Sequence, residues 1–450
     1  MIENHSHFES KRSSVNPETV EKAQLPGVEN DPNILQRRSS SISATGPPPD
    51  GGMVAWTQVA LGHLVIFNTW GYINSFGIFQ GYYVSALGRT PSDVSWVGSI
   101  QILLVFLIGT FSGRAVDAGY HRIVLITGAV LQILGVFMTS LSTTYWQLLL
   151  AQGICQGLGD GLLFCPTIAL ISTYFLKKRS LAIASVACGG ATGGTVFPAV
   201  ARQLLPTIGF PWTVRVMGFV ILANFAVVVT FTRTRIPPRK TGPIIEWAAF
   251  RELPYVLFTI GSFLTQWGLY FAYYYVNPFG RDIIHISPTT SISLLLVLNG
   301  VGVPGRLVPA FLADRFWGPL NLFVPTVLFS GILLYSWVAV TSLSGQIVFV
   351  IIYGYFGAGV QSLFPAALSS LTKDLKKMGV RIGMVFSIIS LASLTGPPLA
   401  GALIERDGGD YLYAQIFGGT TMVCGSLMLV GARVAQIREE RAVQSSEAVT

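Results

Sequence analysis

The sequence predicts an all-α integral membrane protein, with twelve transmembrane helices in two pseudo-symmetric six-helix bundles. Three observations predict it: a composition too poor in charge for a soluble surface, twelve separable apolar runs, and a repeat between the two halves. Of 450 residues, 51% are hydrophobic and 11% are charged, against about 25% charged in a soluble domain. The mean hydropathy is +0.58. So little charge cannot coat a soluble protein of this length. The net charge of +8 is therefore read for topology rather than as a nucleic-acid surface.

Residues 1–52 are rich in Ser, Pro, Asn and charge, with Arg37-Arg38-Ser39-Ser40-Ser41 and Pro47-Pro48-Pro49. Such a segment buries too little apolar surface to fold alone, which predicts a disordered cytoplasmic tail. It has no early apolar stretch of the signal-peptide kind. A membrane-crossing helix takes about 20 mostly apolar residues. Six such runs follow, at 53–79, 94–111, 123–141, 146–174, 181–203 and 212–232. A polar connection, 233–252, separates them from six more at 253–276, 289–311, 320–340, 346–371, 379–404 and 414–434. The expected division is a first bundle over 53–232, a second over 253–434, and a C-terminal tail over 435–450. The runs are apolar on every face rather than alternating, which excludes strands.

With the N-terminus inside, 22 of the 29 Lys and Arg residues fall in cytoplasmic segments, and only Arg89, Arg281 and Arg406 in the loops opposite. The positive-inside rule then places both termini in the cytoplasm and requires an even number of spans. The same charge attracts the inner leaflet of the bilayer. The plasma membrane is the expected location.

The halves repeat. Gly113-Arg114-Ala115-Val116-Asp117 follows span 2, while Gly305-Arg306-Leu307-Val308, with Asp314-Arg315 beyond, ends span 8. Span 4 carries Phe164-Cys165-Pro166 before Lys177-Lys178, and span 10 carries Leu363-Phe364-Pro365 before Lys376-Lys377. The prolines and the lysine pairs are each 199 residues apart. A duplicated six-helix unit of this kind suits halves that rock about a central site. Gly153, Gly157 and Gly161 in span 4, and Gly189, Gly190, Gly193 and Gly194 in span 5, let helices approach closely, as static packing or as sliding contacts. Pro304, Pro309, Pro397 and Pro398 suggest kinks.

Enzyme chemistry is not expected. Only His63 of the five histidines lies in a span, and neither HExxH nor a nucleophile elbow occurs. No Walker A sequence is present, so ATP is not the direct energy source. The four cysteines show no metal-ligand spacing. No cofactor, metal or nucleic-acid partner is expected.

A twelve-span chain with Asp117-Ala118-Gly119-Tyr120-His121-Arg122 after span 2 resembles the major facilitator superfamily. In that family these charges latch neighbouring helices on the cytoplasmic side. The resemblance thus implies latch roles for Asp117 and Arg122, with Asp314 and Arg315 at the repeat position. Pro49-Asp50-Gly51-Gly52 with Trp56, and Tyr174-Phe175-Leu176-Lys177-Lys178-Arg179, look like motifs of the monocarboxylate transporter family. The stretch from Asn68 to Gly77 is similar to its fungal members. The resemblance covers residues 49 to about 435. Two groups that the family links to proton and carboxylate coupling are missing. A span 1 lysine is replaced by Ile73-Asn74, and Gly302 stands for the aspartate of the span 8 pair whose arginine is matched by Arg306.

An ionisable group deep in a span tends to face a cavity or a partner. Arg306, with Asn299 seven residues earlier on the same face, is the leading cargo or coupling residue, because its fork can hold a carboxylate. The alternative is a gating arginine paired with Asp314 or a carbonyl. Asp160 is the acidic residue well inside a span, and is read as a proton carrier, as a static partner of Arg306 or another cation, or as a residue nearer the outer mouth. Span 1 places His63, Phe67, Trp70 and Asn74 on one face, and span 7 places Gln266, Tyr270 and Tyr274 on one face. These line a cavity, or the tyrosines are interfacial anchors and His63 bridges two helices. Gln361 is a weaker candidate.

The leading function is a secondary transporter moving a small organic acid or related metabolite by alternating access, linked to protons. The cavity would suit a medium-sized organic anion carrying a ring, and export of a fungal pathway product is favoured. The alternatives are an importer of a monocarboxylate or vitamin-like solute, and a non-transporting nutrient sensor on the same fold.

Overall fold

The computed structural model describes residues 48–235, 245–372 and 375–447, except the side chains of residues 117, 375–379, 443, 444, 446 and 447. The expected tail over 1–52, the middle of the 233–252 connection and the latch side chain of Asp117 fall largely or wholly outside those residues. Every regular element among the described residues is helical.

Twelve helical segments follow one another. The first, α1 (52–87), is built from three pieces, Gly52–Asn68, Trp70–Asn74 and Phe76–Leu87. Next come α2 (Pro91–Asp117), α3 (His121–Leu141) and α4 (Tyr145–Tyr174). The 53-residue stretch Arg179–Phe231 is broken at Gly209, whose φ of 74° favours glycine, into α5 (179–208) and α6 (210–231). Pro206 and Pro211 flank the break. After the connection come α7 (Leu253–Asp282), α8 (Pro288–Trp317), α9 (Pro319–Ala339), α10 (Leu343–Ser370), α11 (Leu375–Arg406) and α12 (Leu412–Glu447). Nine helical stretches among the described residues are long and apolar enough to cross a membrane, counting Arg179–Phe231 once. The exceptions are α1, which is interrupted, and α7, whose second half is tyrosine-rich.

The apolar cores of the spans match the sequence expectation, and the ends differ. Helix α1 runs eight residues past the expected limit of 79, α7 runs to Asp282 rather than 276, and α12 continues to Glu447 through most of the expected tail. Polar residues at membrane edges keep their helical hydrogen bonds, so hydropathy marks the hydrocarbon core and not the helix. Capping sets the starts. Thr90 accepts from Asp93 N, Ser287 from Thr290 N and Ser342 from Gly345 N, so α2, α8 and α10 each begin on a hydroxyl cap.

The exterior carries large apolar side chains such as Leu134, Phe219, Ile332 and Leu427, as lipid contact requires. Glycines close the inner seams. A Cβ on Gly189 would lie 2.2 Å from the His63 carbonyl oxygen, on Gly193 2.4 Å from that of Phe67, and on Gly305 2.3 Å from that of Tyr355. The glycine run of span 5 therefore faces α1. Gly189→Val is expected to lower the yield and melting temperature of detergent-purified protein sharply. The added methyls meet backbone and force helices apart, at a cost of about 1–3 kcal/mol or more. Gly300→Ala is the control, because nothing lies within 4 Å of its added carbon. It should be neutral or stabilising by up to about 1 kcal/mol.

Candidate functional site

The described residues from Pro48 onward form one compact unit, with a narrow cavity between its halves. From the first half Trp70, Phe106, Phe164 and Gly190 line it; from the second come Gln266, Tyr270, Arg306, Gln361, Phe364 and Phe386. Its free volume is about 50 Å³, room for a few waters rather than for a ringed cargo.

Both ends are bridged. Towards the end that bears the described termini, the Thr110 hydroxyl donates to the Gly383 carbonyl at 2.9 Å. Four phenylalanines pack there: Phe106 and Phe164 of the first half meet Phe386 of the second at centroid distances of 5.3 and 6.0 Å, and Phe364 backs Phe386 at 5.5 Å. At the opposite end Asn277 Nδ2 donates to the Gly77 carbonyl at 3.1 Å, and Ser92 N donates to Glu405 Oε1 at 3.2 Å.

Arg306 is 2% exposed. Its Nη1 donates to the Gly302 carbonyl at 3.1 Å and its Nη2 to Gln361 Oε1 at 2.8 Å. A Cβ at residue 302 would come within 2.7 Å of Nη1, so Gly302 makes the space that the guanidinium fills. Arg306 forms no ion pair with any described carboxylate. The expected alternative of an Asp314 partner is not seen; a carbonyl and a neutral amide take its place. A buried cation held only by neutral oxygens is a strong receptor for an incoming anion.

Asp160 is fully buried but does not line the cavity or meet Arg306. It sits one helical turn from Phe164, and its Oδ2 accepts from Gln101 Nε2 at 2.8 Å. Its Oδ1 has no partner. It lies in the first turn of the α-helical stretch that follows a π-helical run, Leu149–Gln156. Static pairing with Arg306 is thus corrected. Among the described residues it is the only carboxyl in the buried class.

The expected face of span 1 is divided. Thr69 Oγ1 donates to the Val65 carbonyl and Ser75 Oγ to that of Gly71, at the two breaks of α1. Such bonds compete with the helix ladder and re-aim the residues between. Trp70 reaches the cavity. His63 instead bridges to α5, with Nδ1 3.0 Å from the Ser185 carbonyl and Nε2 2.9 Å from Thr192 Oγ1. Asn74 donates to the Gly190 carbonyl at 3.3 Å and Asn299 to that of Leu295 at 3.1 Å, and neither lines the cavity. On α7, Gln266 and Tyr270 face the cavity, while Tyr274 packs on Phe76 at 4.8 Å. Tyr273, Tyr274 and Tyr275 are each at most 2% exposed, so they are not interfacial anchors. The phenylalanines were missed by sequence reasoning. For two of them a signal was available: Phe164 stands two residues before Pro166 and Phe364 one residue before Pro365, the repeated prolines.

The two motif segments meet. Asp50 Oδ1 accepts from the backbone N–H groups of Leu176 and Lys177, Asp50 N donates to the Tyr174 carbonyl at 3.1 Å, and Trp56 packs edge-on against Phe175 at 5.3 Å. Asp50, Gly51 and Gly52 all have positive φ, a turn that explains the paired glycines. Lys178 is exposed, Tyr174 OH donates to the Arg233 carbonyl, and Arg179 opens α5. Of the latch residues, Asp314 Oδ2 accepts from Leu181 N at the start of α5 at 3.0 Å, where a carboxylate complements the helix dipole. Arg315 lies over the Phe316 ring and Arg122 is exposed.

The N–H donors hold the Asp50 carboxyl below its usual value of 3.8, the Leu176 bond foremost. A depressed folded value means that the clamp stabilises the fold above pH 3.8 and that this contribution is lost as pH falls through the lower folded value. Asp50→Asn should lower the melting temperature at neutral pH and flatten its slope on acidification. An unchanged slope in thermal scans of the variant would count against the clamp.

The family profile described as Major Facilitator Superfamily matches residues 59–374. The chain belongs to the major facilitator superfamily. Its similarity to curated facilitators extends over most of its length. An MFS-type transporter of Gibberella zeae is 48% identical over 421 residues, covering 93% of this chain and 95% of the relative. The MFS-type transporter dbaD of Emericella nidulans is 37% identical, covering 85% of this chain and 86% of its own. The aspyridones efflux protein apdF of the same organism is 35% identical, covering 88% and 80%. This facilitator is therefore a multi-pass membrane transporter of small molecules and not an enzyme.

Proposed function

We propose that the protein exports a small organic acid or related metabolite by alternating access, coupled to a proton gradient, and that it is of the monocarboxylate porter type. The observation that carries this reading is Arg306, buried at the cavity with only neutral oxygen partners. The clamp between Asp50 and Leu176 supports the subfamily, because both of its strands carry the resembling motifs. Export is favoured by the similarity to a named efflux protein. The units 53–232 and 253–434 would rock about the cavity, exchanging the bridges at one end for those at the other. Asn74, Asn299 and Tyr274 would support the wall, and His63 a fixed seam, rather than touch cargo. The excess of Lys and Arg in one set of loops supports cytoplasmic termini, in the plasma membrane.

Untargeted metabolite profiling of cells and medium, with the gene deleted and overexpressed, tests this. Accumulation of an organic acid inside deleted cells supports export. Depletion inside them would show an importer, and no change in any solute would defeat transport.

A further inference from the structure

The indole of Trp70 and the phenol of Tyr270 belong to different halves of the molecule and face each other across the cavity. Their planes lie within 17° of parallel, with centroids 6.2 Å apart. The other rings that meet Trp70 are angled instead: Phe106 at 51° and Phe164 at 66°. A flat ring entering between two aromatic faces needs about 7 Å, twice the ~3.5 Å carbon contact distance. The cavity of about 50 Å³ must therefore widen as the two halves part to admit one. Trp70 heads the five-residue helical piece Trp70–Asn74, between the helix irregularities at Thr69 and Ser75.

Two residues that line the cavity from opposite halves each carry an unpartnered polar atom. Trp70 Nε1 and Gln266 Oε1 lack hydrogen-bond partners, on side chains of residues only 7% and 4% exposed. Buried polar groups are normally satisfied, so these point to an occupant that satisfies them. Arg306 lines the same cavity, and Gly190 leaves the space between it and Trp70, since a Cβ there would lie 3.2 Å from Trp70 Cβ and 3.8 Å from Arg306 Nη2.

We infer that the cargo is a planar, conjugated acid whose ring is held between Trp70 and Tyr270 while its acid group meets Arg306. This rests on the cavity reading above and narrows its substrate class from organic acids at large to flat ones. It also gives alternating access a physical link, because a ring sandwiched between α1 and α7 touches both moving halves.

The test uses the full-length protein in lipid nanodiscs and two probes of like size, 2-naphthoate and its fully saturated decahydro analogue, with binding measured by calorimetry. Two ring contacts predict that 2-naphthoate binds about tenfold tighter. Trp70→Leu and Tyr270→Leu should each bring that ratio towards one, and Trp70→Phe should keep most of it, which controls for folding. Arg306→Gln should weaken both acids and leave the ratio intact. A ratio near one in the native protein, or one unmoved by both leucine variants, overturns the clamp. Equal binding by native protein and Arg306→Gln overturns the cavity reading instead. Failure of both acids to bind the native protein overturns both.

Discussion

Replacing Arg306 with Gln is expected to abolish export of the acid cargo while leaving the protein folded. Among the described residues the guanidinium is the only charged group that lines the cavity, and a charge-assisted pair there is worth about 2–3 kcal/mol. That corresponds to roughly 30- to 150-fold in affinity. Gln keeps a donor for the Gly302 carbonyl or for Gln361 but removes the charge. Arg306→Lys should recover part of the binding, because a point charge remains without the planar fork. Transport by proteoliposomes loaded with the cargo, or with 2-naphthoate, reads the effect. Native rates in Arg306→Gln would remove the residue from the cargo path. The same variant should also shift the melting curve, and the shift has a definite sign. A buried cation without a carboxylate carries a desolvation cost, so the empty protein should be no less stable without it.

The second large effect is expected at Asp160. Asn is isosteric, and its amide oxygen can still accept from Gln101 Nε2, so the α2–α4 seam that this bond closes at 2.8 Å is preserved. What Asn cannot do is take up and release a proton. If Asp160 carries the coupled proton, Asp160→Asn should lose flux driven by a pH jump and retain exchange of cargo between equal pools. Cargo affinity should stay within a few fold, because Asp160 lies outside the cavity wall. Full pH-driven accumulation by the variant would assign coupling elsewhere. The placement also suits indirect coupling. A proton taken up one helical turn from Phe164 would change the packing of α4 against α2, and both helices supply phenylalanines to the end that bears the described termini. Proton and cargo would then meet through a shared conformation rather than a shared site.

Much of this was legible in one dimension. Twelve spans, their even count and the 6+6 division follow from apolar runs and the placement of basic residues. Arg306 stood out because a charge in a span needs a reason to be there. Gln266 and Tyr270 were found by their spacing, since α7 stays a regular helix through them. The reading weakened wherever the helix did. In α1 the breaks at Thr69 and Ser75 separated Trp70 from His63, which spacing alone had put on one face. Asp160 was visible as a buried acid, but its partner was not, because Gln101 lies 59 positions away and many amides could have served. The phenylalanine layer was hidden in the background of 28 phenylalanines, any of which could have faced lipid.

The sequence by itself determined that the chain crosses the bilayer many times and places Arg306 inside a span, where it needs a cavity or a partner. Those properties follow from transfer free energies, which add along a chain regardless of neighbours. Only the tertiary structure decided which polar atoms share a cavity, which pair off in seams, and that Gly302 makes room for Arg306. Inside a membrane there is no water to satisfy a stray polar group, so the partner found across the helix interface sets each residue's role.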